Sequence, residues 1–142
     1  MLISAILRRK GSTVATVRPQ ATVTELLATL SDHNIGAVVV SEDGMSILGI
    51  VSERDVVRRL HQNGPEVLAE PVSAIMTTPV RTCEPDADAG DLRKTMTDHR
   101  IRHVPVVSDG RLAGIVSIGD VVKSAIEELE AEKAHLVDYL HG

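Results

Sequence analysis

The sequence has no tryptophan, no phenylalanine and a single tyrosine. Proteins that grip single-stranded nucleic acid stack bases on aromatic rings inside basic grooves. Duplex binders need a positive surface that displaces counterions. With a formal net charge of −5, neither class is expected, and no nucleic-acid partner is assigned. The aromatic shortage also means that any flat base held by this chain must be sandwiched by aliphatic side chains.

Cysteine is nearly as scarce. One residue, Cys83, excludes an internal disulfide framework and fits a reducing, cytoplasmic setting. It lacks the basic or metal-binding neighbours that activate a thiol, so it reads as a small buried hydrophobe. Long apolar runs are missing too. Ala37–Val40 is strand-sized, far short of the roughly 20 residues a membrane helix needs, so no membrane partner is expected. The opening Met1–Lys10 places its charges after the apolar stretch, the reverse of a secretory signal, and reads as the first turns of a helix. The six histidines form no His-x-x-His pair and have no cysteine at zinc spacing, so no metal is expected. There is no Walker-type glycine loop, and the motifs suggest no nucleophile–base arrangement. The chain is therefore expected not to be an enzyme.

The composition that remains is ordinary: 142 residues, 43% hydrophobic and 25% charged, as for one soluble globular domain. The order within it is not ordinary. Gly49–Val57 and Gly114–Val122 agree at seven of nine positions, offset by 65. Thr29–Ile35 aligns with Thr95–Ile101 at an offset of 66, shared by Pro19 and Pro85. Ile3–Ile6 aligns with Val72–Ile75 at an offset of 69, the first copy carrying about three extra residues near Arg9–Ser12.

Each copy predicts the same elements. A short helix ends near Ile6–Leu7 or Ile75–Met76, and a strand follows at Thr13–Val17 or Val80–Cys83. An amphipathic helix carries Val23, Leu26, Leu27 and Leu30, or Ala89, Leu92 and Met96. Two strands then flank an Asp-Gly turn, Ala37–Val40 with Ile47–Val51 and His103–Val107 with Leu112–Val116. A final helix begins at Ser52 or Ser117. The predicted class is α+β: two tandem β-α-β-β-α units packed sheet to sheet with pseudo-two-fold symmetry. The boundaries are residues 1–64 for the first unit with its N-terminal helix, 65–71 for a Gly/Pro-punctuated linker, and 72–142 for the second unit with an extended C-terminal helix.

The repeated Gly-Ile-Val-Ser-x-x-Asp lies where a strand meets a helix. Ser followed three residues later by an acid is the pattern of a capping box, which ties off free N–H groups. The same corner suits a ligand. A helix N-terminus favours phosphate, the serine hydroxyl can donate to it, and an ionised aspartate one turn in can accept from both hydroxyls of a vicinal diol.

Over nearly its whole length, from Ile3 to the C-terminal helix, the chain resembles stand-alone pairs of cystathionine-β-synthase (CBS) domains, or Bateman modules. The resemblance is carried by Gly49–Asp55 with Val56-Val57-Arg58, Ile75-Met76-Thr77, Arg100–Val106 and Gly114–Val122. It implies an adenosyl ligand in the cleft between units: AMP, ADP or ATP, with NAD(H) or S-adenosylmethionine as alternatives. It assigns Asp120 and Asp55 to ribose, and Ser117 and Ser52 to phosphate. Arg102 and His103 are likewise assigned to phosphate, and Val80, Thr82, Val104 and Pro105 to adenine. The copies differ, since Asn34-Ile35-Gly36-Ala37 of the first lacks the cations of Arg100–His103. The expectation is one principal site centred on Asp120, with the first corner empty, weak, or lending Arg54. Val122, Ile126, Leu129, Leu136 and Leu140 form a helical stripe. The family's disc-like dimers imply a homodimer through it. No effector domain is present, so the output is expected to be an unidentified regulated protein. The competing expectation is an interaction dimer whose Ser-x-x-Asp pairs are caps alone.

Overall fold

In a computed structural model, residues 1–11 and 13–142 are described; Ser12, at the end of the first copy's extra stretch, lies outside the described residues. The elements run α1 Ile3–Lys10, β1 Thr16–Val17, α2 Val23–His33, β2 Ala37–Val40, β3 Gly49–Ser52 and α3 Glu53–Asn63. Two 3₁₀ turns, Pro65–Ala69 and Val72–Ala74, lead to α4 Ala89–His99, β4 His103–Ser108, β5 Arg111–Ser117 and α5 Ile118–His141. In the first sheet β1 pairs parallel to β2, and β2 antiparallel to β3. In the second β4 pairs antiparallel to β5. The class is α+β with the repeat as expected.

Three expected elements are reduced, the first of them the strand expected over Thr13–Val17, which is only Thr16–Val17. The strand at Val80–Cys83 is a single parallel bridge between Cys83 and Val106. The Cys83 amide donates to the Pro105 carbonyl (3.1 Å), and the Val107 amide donates to the Cys83 carbonyl (2.8 Å). Pro79 and Pro85 bracket this segment, and proline donates nothing to a ladder. Arg81, Thr82 and Glu84 are exposed, so there is no buried face to extend it. The expected helix before it is one 3₁₀ turn, Val72–Ala74, started by Pro71.

Both mid-repeat helices stop in the same way. Asn34 (φ 51°) and Arg100 (φ 55°) take the left-handed conformation after α2 and α4. Ile35 and Ile101 then donate back to the Leu30 and Met96 carbonyls, each at 3.0 Å. These are Schellman-type ends, and they turn the chain sharply into β2 and β4.

The cores are exchanged between copies. Around Leu26, Val38, Val40 and Val51 of the first copy pack Val67 of the linker and Val72 and Ile75 from the start of the second. Around Leu92, Met96, Val104 and Val116 of the second copy pack Ile3, Ile6 and Leu7 of α1. Burial of each such side chain is worth roughly 1.5–3 kcal/mol. Two glycines accommodate the exchange. A β-carbon on Gly49 would meet Met76 Sδ at 2.6 Å, and one on Gly114 would meet Leu7 Cδ2 at 2.6 Å. The hairpin ends also meet, the Leu112 amide donating to the Met45 carbonyl at 2.8 Å.

Candidate functional site

Both Ser-x-x-Asp motifs form complete capping boxes. The Ser52 amide donates to Asp55 Oδ2 (2.8 Å), and the Asp55 amide donates to Ser52 Oγ (3.3 Å). The matching distances at Ser117 and Asp120 are 2.8 and 3.1 Å. The strand register explains why the corners coincide. Ser52 pairs with Ala37 and Ser117 with His103. One residue further, the Glu53 amide donates to the Gly36 carbonyl (2.9 Å) and the Ile118 amide to the Arg102 carbonyl (2.8 Å). The start of each second strand is thereby laid beside the start of its own copy's last helix.

The surroundings of the two corners diverge. The first opens into a cavity of about 320 Å³. Its lining draws Ser52, Arg54, Asp55 and Arg58 from the first copy's corner, Arg100, Ile101, Arg102 and His103 from the second copy, and Ala37, Ile50 and Thr77 besides. Four arginines thus line one cavity, with only Glu53 and Asp55 among its lining to balance them. Among the described residues, none of the four takes part in an ion pair. A wider groove of about 610 Å³ along β1 and α2 brings a single cation, Arg18, which is held 3.5 Å from Glu42.

At the second corner a cation is already in place. Lys10 Nζ donates to Asp120 Oδ2 at 2.7 Å and to the Ile115 carbonyl at 2.9 Å. Burial pushes the Asp120 carboxyl up, but hydrogen bonds from Lys10 and the Ser117 amide outweigh it and hold the group below its ordinary range. His103 stands between the corners. A β-carbon on Gly36 would lie 3.8 Å from its Cε1. Burial, then the Lys10 charge, lowers its pKa against the opposing pull of Asp120 and Glu53.

The residues expected around Asp120 are therefore distributed differently. Arg102 and His103 line the cavity that contains Ser52, Arg54 and Asp55. Val104 is fully buried in the second core. It alternates with His103 along β4 and so points to the other face, while Pro105 shares His103's side. Val80 is half-buried and Thr82 exposed, and neither lines the cavity. The apolar lining comes from Ala37, Ile50 and Ile101. Arg58 and Arg100 lie in the motifs that carry the resemblance but receive no ligand role from it, and Lys10 lies in no motif, only in the stretch where the copies differ in length. Cys83 is half-buried and its thiol is pushed up to about 11 by burial. Among the described residues no cluster of three His, Cys, Asp or Glu could hold a metal.

The family model for the CBS domain matches twice, over residues 4–62 and 72–127. The chain belongs to the CBS domain family. This CBS pair is similar to the CBS domain-containing protein ATU1752 of Agrobacterium tumefaciens, with 44% identity and a TM-score of 0.85 over 88% of this chain and 99% of that one. It is also similar to CBS domain-containing protein CBSX3, mitochondrial, of Arabidopsis thaliana, 36% identical over 125 residues. That match takes in 85% of the chain but only 61% of the plant protein's length. Two other CBS structures contain ligands. The pair of protein MJ0100, in complex with 5′-methylthioadenosine and S-adenosyl-L-methionine, is 26% identical with a TM-score of 0.79, over 90% of this chain and 98% of that one. The protein PAE2072 of Pyrobaculum aerophilum, complexed with AMP, is 28% identical with a TM-score of 0.74, over 84% and 89%. No helix of the described residues is long and apolar enough to cross a membrane.

Proposed function

We propose that this CBS pair is a sensor that binds an adenine nucleotide in the cavity between its repeats and passes the occupancy on to a partner protein, without catalysing a reaction. The observation that carries the reading is the set of four arginines, none in an ion pair among the described residues, that line one cavity with a capped Ser–Asp corner. A planar guanidinium suits phosphate oxygens. In this reading Asp55 accepts from the ribose hydroxyls, and Ser52 with Arg54, Arg58, Arg100 and Arg102 holds the phosphates. Ala37, Ile50 and Ile101 contact the base. The principal site is then Asp55's, not the one centred on Asp120. The capping box leaves room for this, because Asp55's contacts from Ser52 all fall on Oδ2. The charge balance favours ATP and ADP over AMP, and all three over S-adenosylmethionine, whose sulfonium the arginines repel. NAD(H), with its diphosphate, remains compatible.

The supporting experiment is calorimetric titration with AMP, ADP, ATP, NAD(H) and S-adenosylmethionine. Saturable binding of a phosphorylated ligand, weakened at least ten-fold in Arg102→Gln, is the expected result. Silence with every ligand favours the second reading, an interaction protein whose Ser-x-x-Asp pairs are caps alone, for which the two complete boxes speak.

We further propose a homodimer through α5. Beyond Glu128 every residue of this helix is exposed, and an isolated helix shorter than about 12–15 residues is marginal in water. Val122, Ile126, Leu129, Lys133, Leu136 and Leu140 follow the alternating four-and-three spacing of a coiled-coil seam. Lys133 interrupts the apolar seam, with Glu130 and Glu132 on either side to meet it from a second copy. A cytoplasmic location completes the proposal, because a single cysteine fits a reducing compartment.

A further inference from the structure

The two corners share their backbone and their capping boxes, yet they differ at one equivalent point. At the first, the edge of β3 is paired from the other copy, the Thr77 amide donating to the Ile50 carbonyl at 2.8 Å. Ile115 occupies the position of Ile50 in the repeat, 65 residues on. Its carbonyl takes a hydrogen bond from the Lys10 ammonium at 2.9 Å. The side chain of Lys10 thus does at the second corner what a backbone amide does at the first, and its charge reaches on to Asp120. The base of this arm is fixed. Ile3, Ile6 and Leu7 anchor α1 in the second core, and Arg9 pairs with Glu127 of α5.

We infer that Lys10 closes the second corner from within, so that each chain takes one nucleotide and not two. The inference rests on the nucleotide reading above. A carboxylate that receives a ribose diol needs free lone pairs beside it. At Asp55 the second donor on Oδ2 is the Ser52 hydroxyl, 3.0 Å away, a rotor that can swing toward a phosphate without moving the backbone. At Asp120 the second donor is an ammonium tethered to a carbonyl. A ligand must displace it and break two hydrogen bonds at once. The four arginines that line the cavity lie with Asp55, and the first copy has Gly36 and Ala37 at the repeat positions of Arg102 and His103.

The test is the number of AMP sites per chain by calorimetry. Wild type and Lys10→Arg are expected to bind one AMP, and Lys10→Met and Lys10→Gln two. The added site should be at least ten-fold weaker than the first and should vanish when Asp120→Asn is combined with Lys10→Met. A single site in both neutral variants, or two sites in wild type, overturns the inference while leaving the nucleotide reading intact. Loss of all binding in the neutral variants makes Lys10 a ligand-contacting group and overturns it equally. So does failure of both neutral variants to fold, which makes Lys10 a structural requirement. Silence of the wild-type protein is a different outcome, which contradicts the nucleotide reading and takes the inference with it.

Discussion

At the scale of single residues, what a side chain can offer a ligand depends on whether it is already engaged. Arg102 has no ion-pair partner among the described residues, so its replacement removes a ligand contact and little else. A hydrogen bond to a charged group is worth about 1.5–3 kcal/mol, and a factor of ten corresponds to about 1.4 kcal/mol. Arg102→Gln should therefore weaken ATP binding by roughly 10- to 100-fold with an unchanged melting temperature, read by titration beside a thermal melt. His103 supplies a pH dependence with two opposite signs. Its folded pKa is lowered, by burial first and Lys10 second, so near neutrality it is uncharged. Between the folded value and the ordinary value of about 6.5 the unfolded chain binds more protons. The stability of the free protein from this residue should then fall as pH drops below about 6.5. Phosphate binding should respond the other way, because protonation adds a cation to the cavity. ATP affinity is expected to rise between pH 7.5 and 6, about, by more in wild type than in His103→Gln, where the imidazole contribution is gone. Equal slopes in the two proteins would remove His103 from the site.

Legibility at this scale was uneven. The spacing Ser-x-x-Asp is local, and its reading as a helix start needed only three residues of context. The grouping of Arg102 and His103 with Asp55 is non-local, because it depends on how one repeat faces the other. The resemblance gives Val104 to the adenine, but period-two alternation with His103 places it on the core side. Lys10 had no motif at all; it falls in the stretch where the copies differ in length.

At the scale of elements, the exchange of α1 and the Val72–Ile75 turn between cores is the fold's main commitment. A side chain at Gly114 would collide with Leu7, which is anchored in the second core. Overpacking of this kind costs about 1–3 kcal/mol. Gly114→Val should lower the denaturation midpoint accordingly, and adding Leu7→Ala should recover part of the loss, a coupling that a double-mutant cycle measures. Strict additivity would mean that α1 does not sit on β5. The helices were the most legible elements, since the α2 and α4 patterns span three turns each. The first strands were the least. β1 has two residues and its counterpart is one bridge at Cys83, too short for alternation to develop between flanking prolines.

At the scale of the whole molecule, the repeat in sequence became a pseudo-two-fold frame with unequal corners. The frame was legible because identity at fixed offsets survives insertion. The inequality was not fully legible, because cations of one copy line the cavity at the corner of the other. Assembly makes its own prediction. Leu129 and Leu136 are each 64% exposed, so replacing both with glutamate should leave the fold intact and shift the sedimentation coefficient from dimer to monomer. An unchanged coefficient would place the association elsewhere or deny it.

The measurement that bears most directly on the nucleotide reading is a crystal structure of the protein grown with ATP. The account predicts ribose density at Asp55, phosphate density among Arg54, Arg58, Arg100 and Arg102, and Lys10 still on Asp120. An unoccupied cavity at saturating ATP, or nucleotide density at Asp120 with the Asp55 corner vacant, would contradict it.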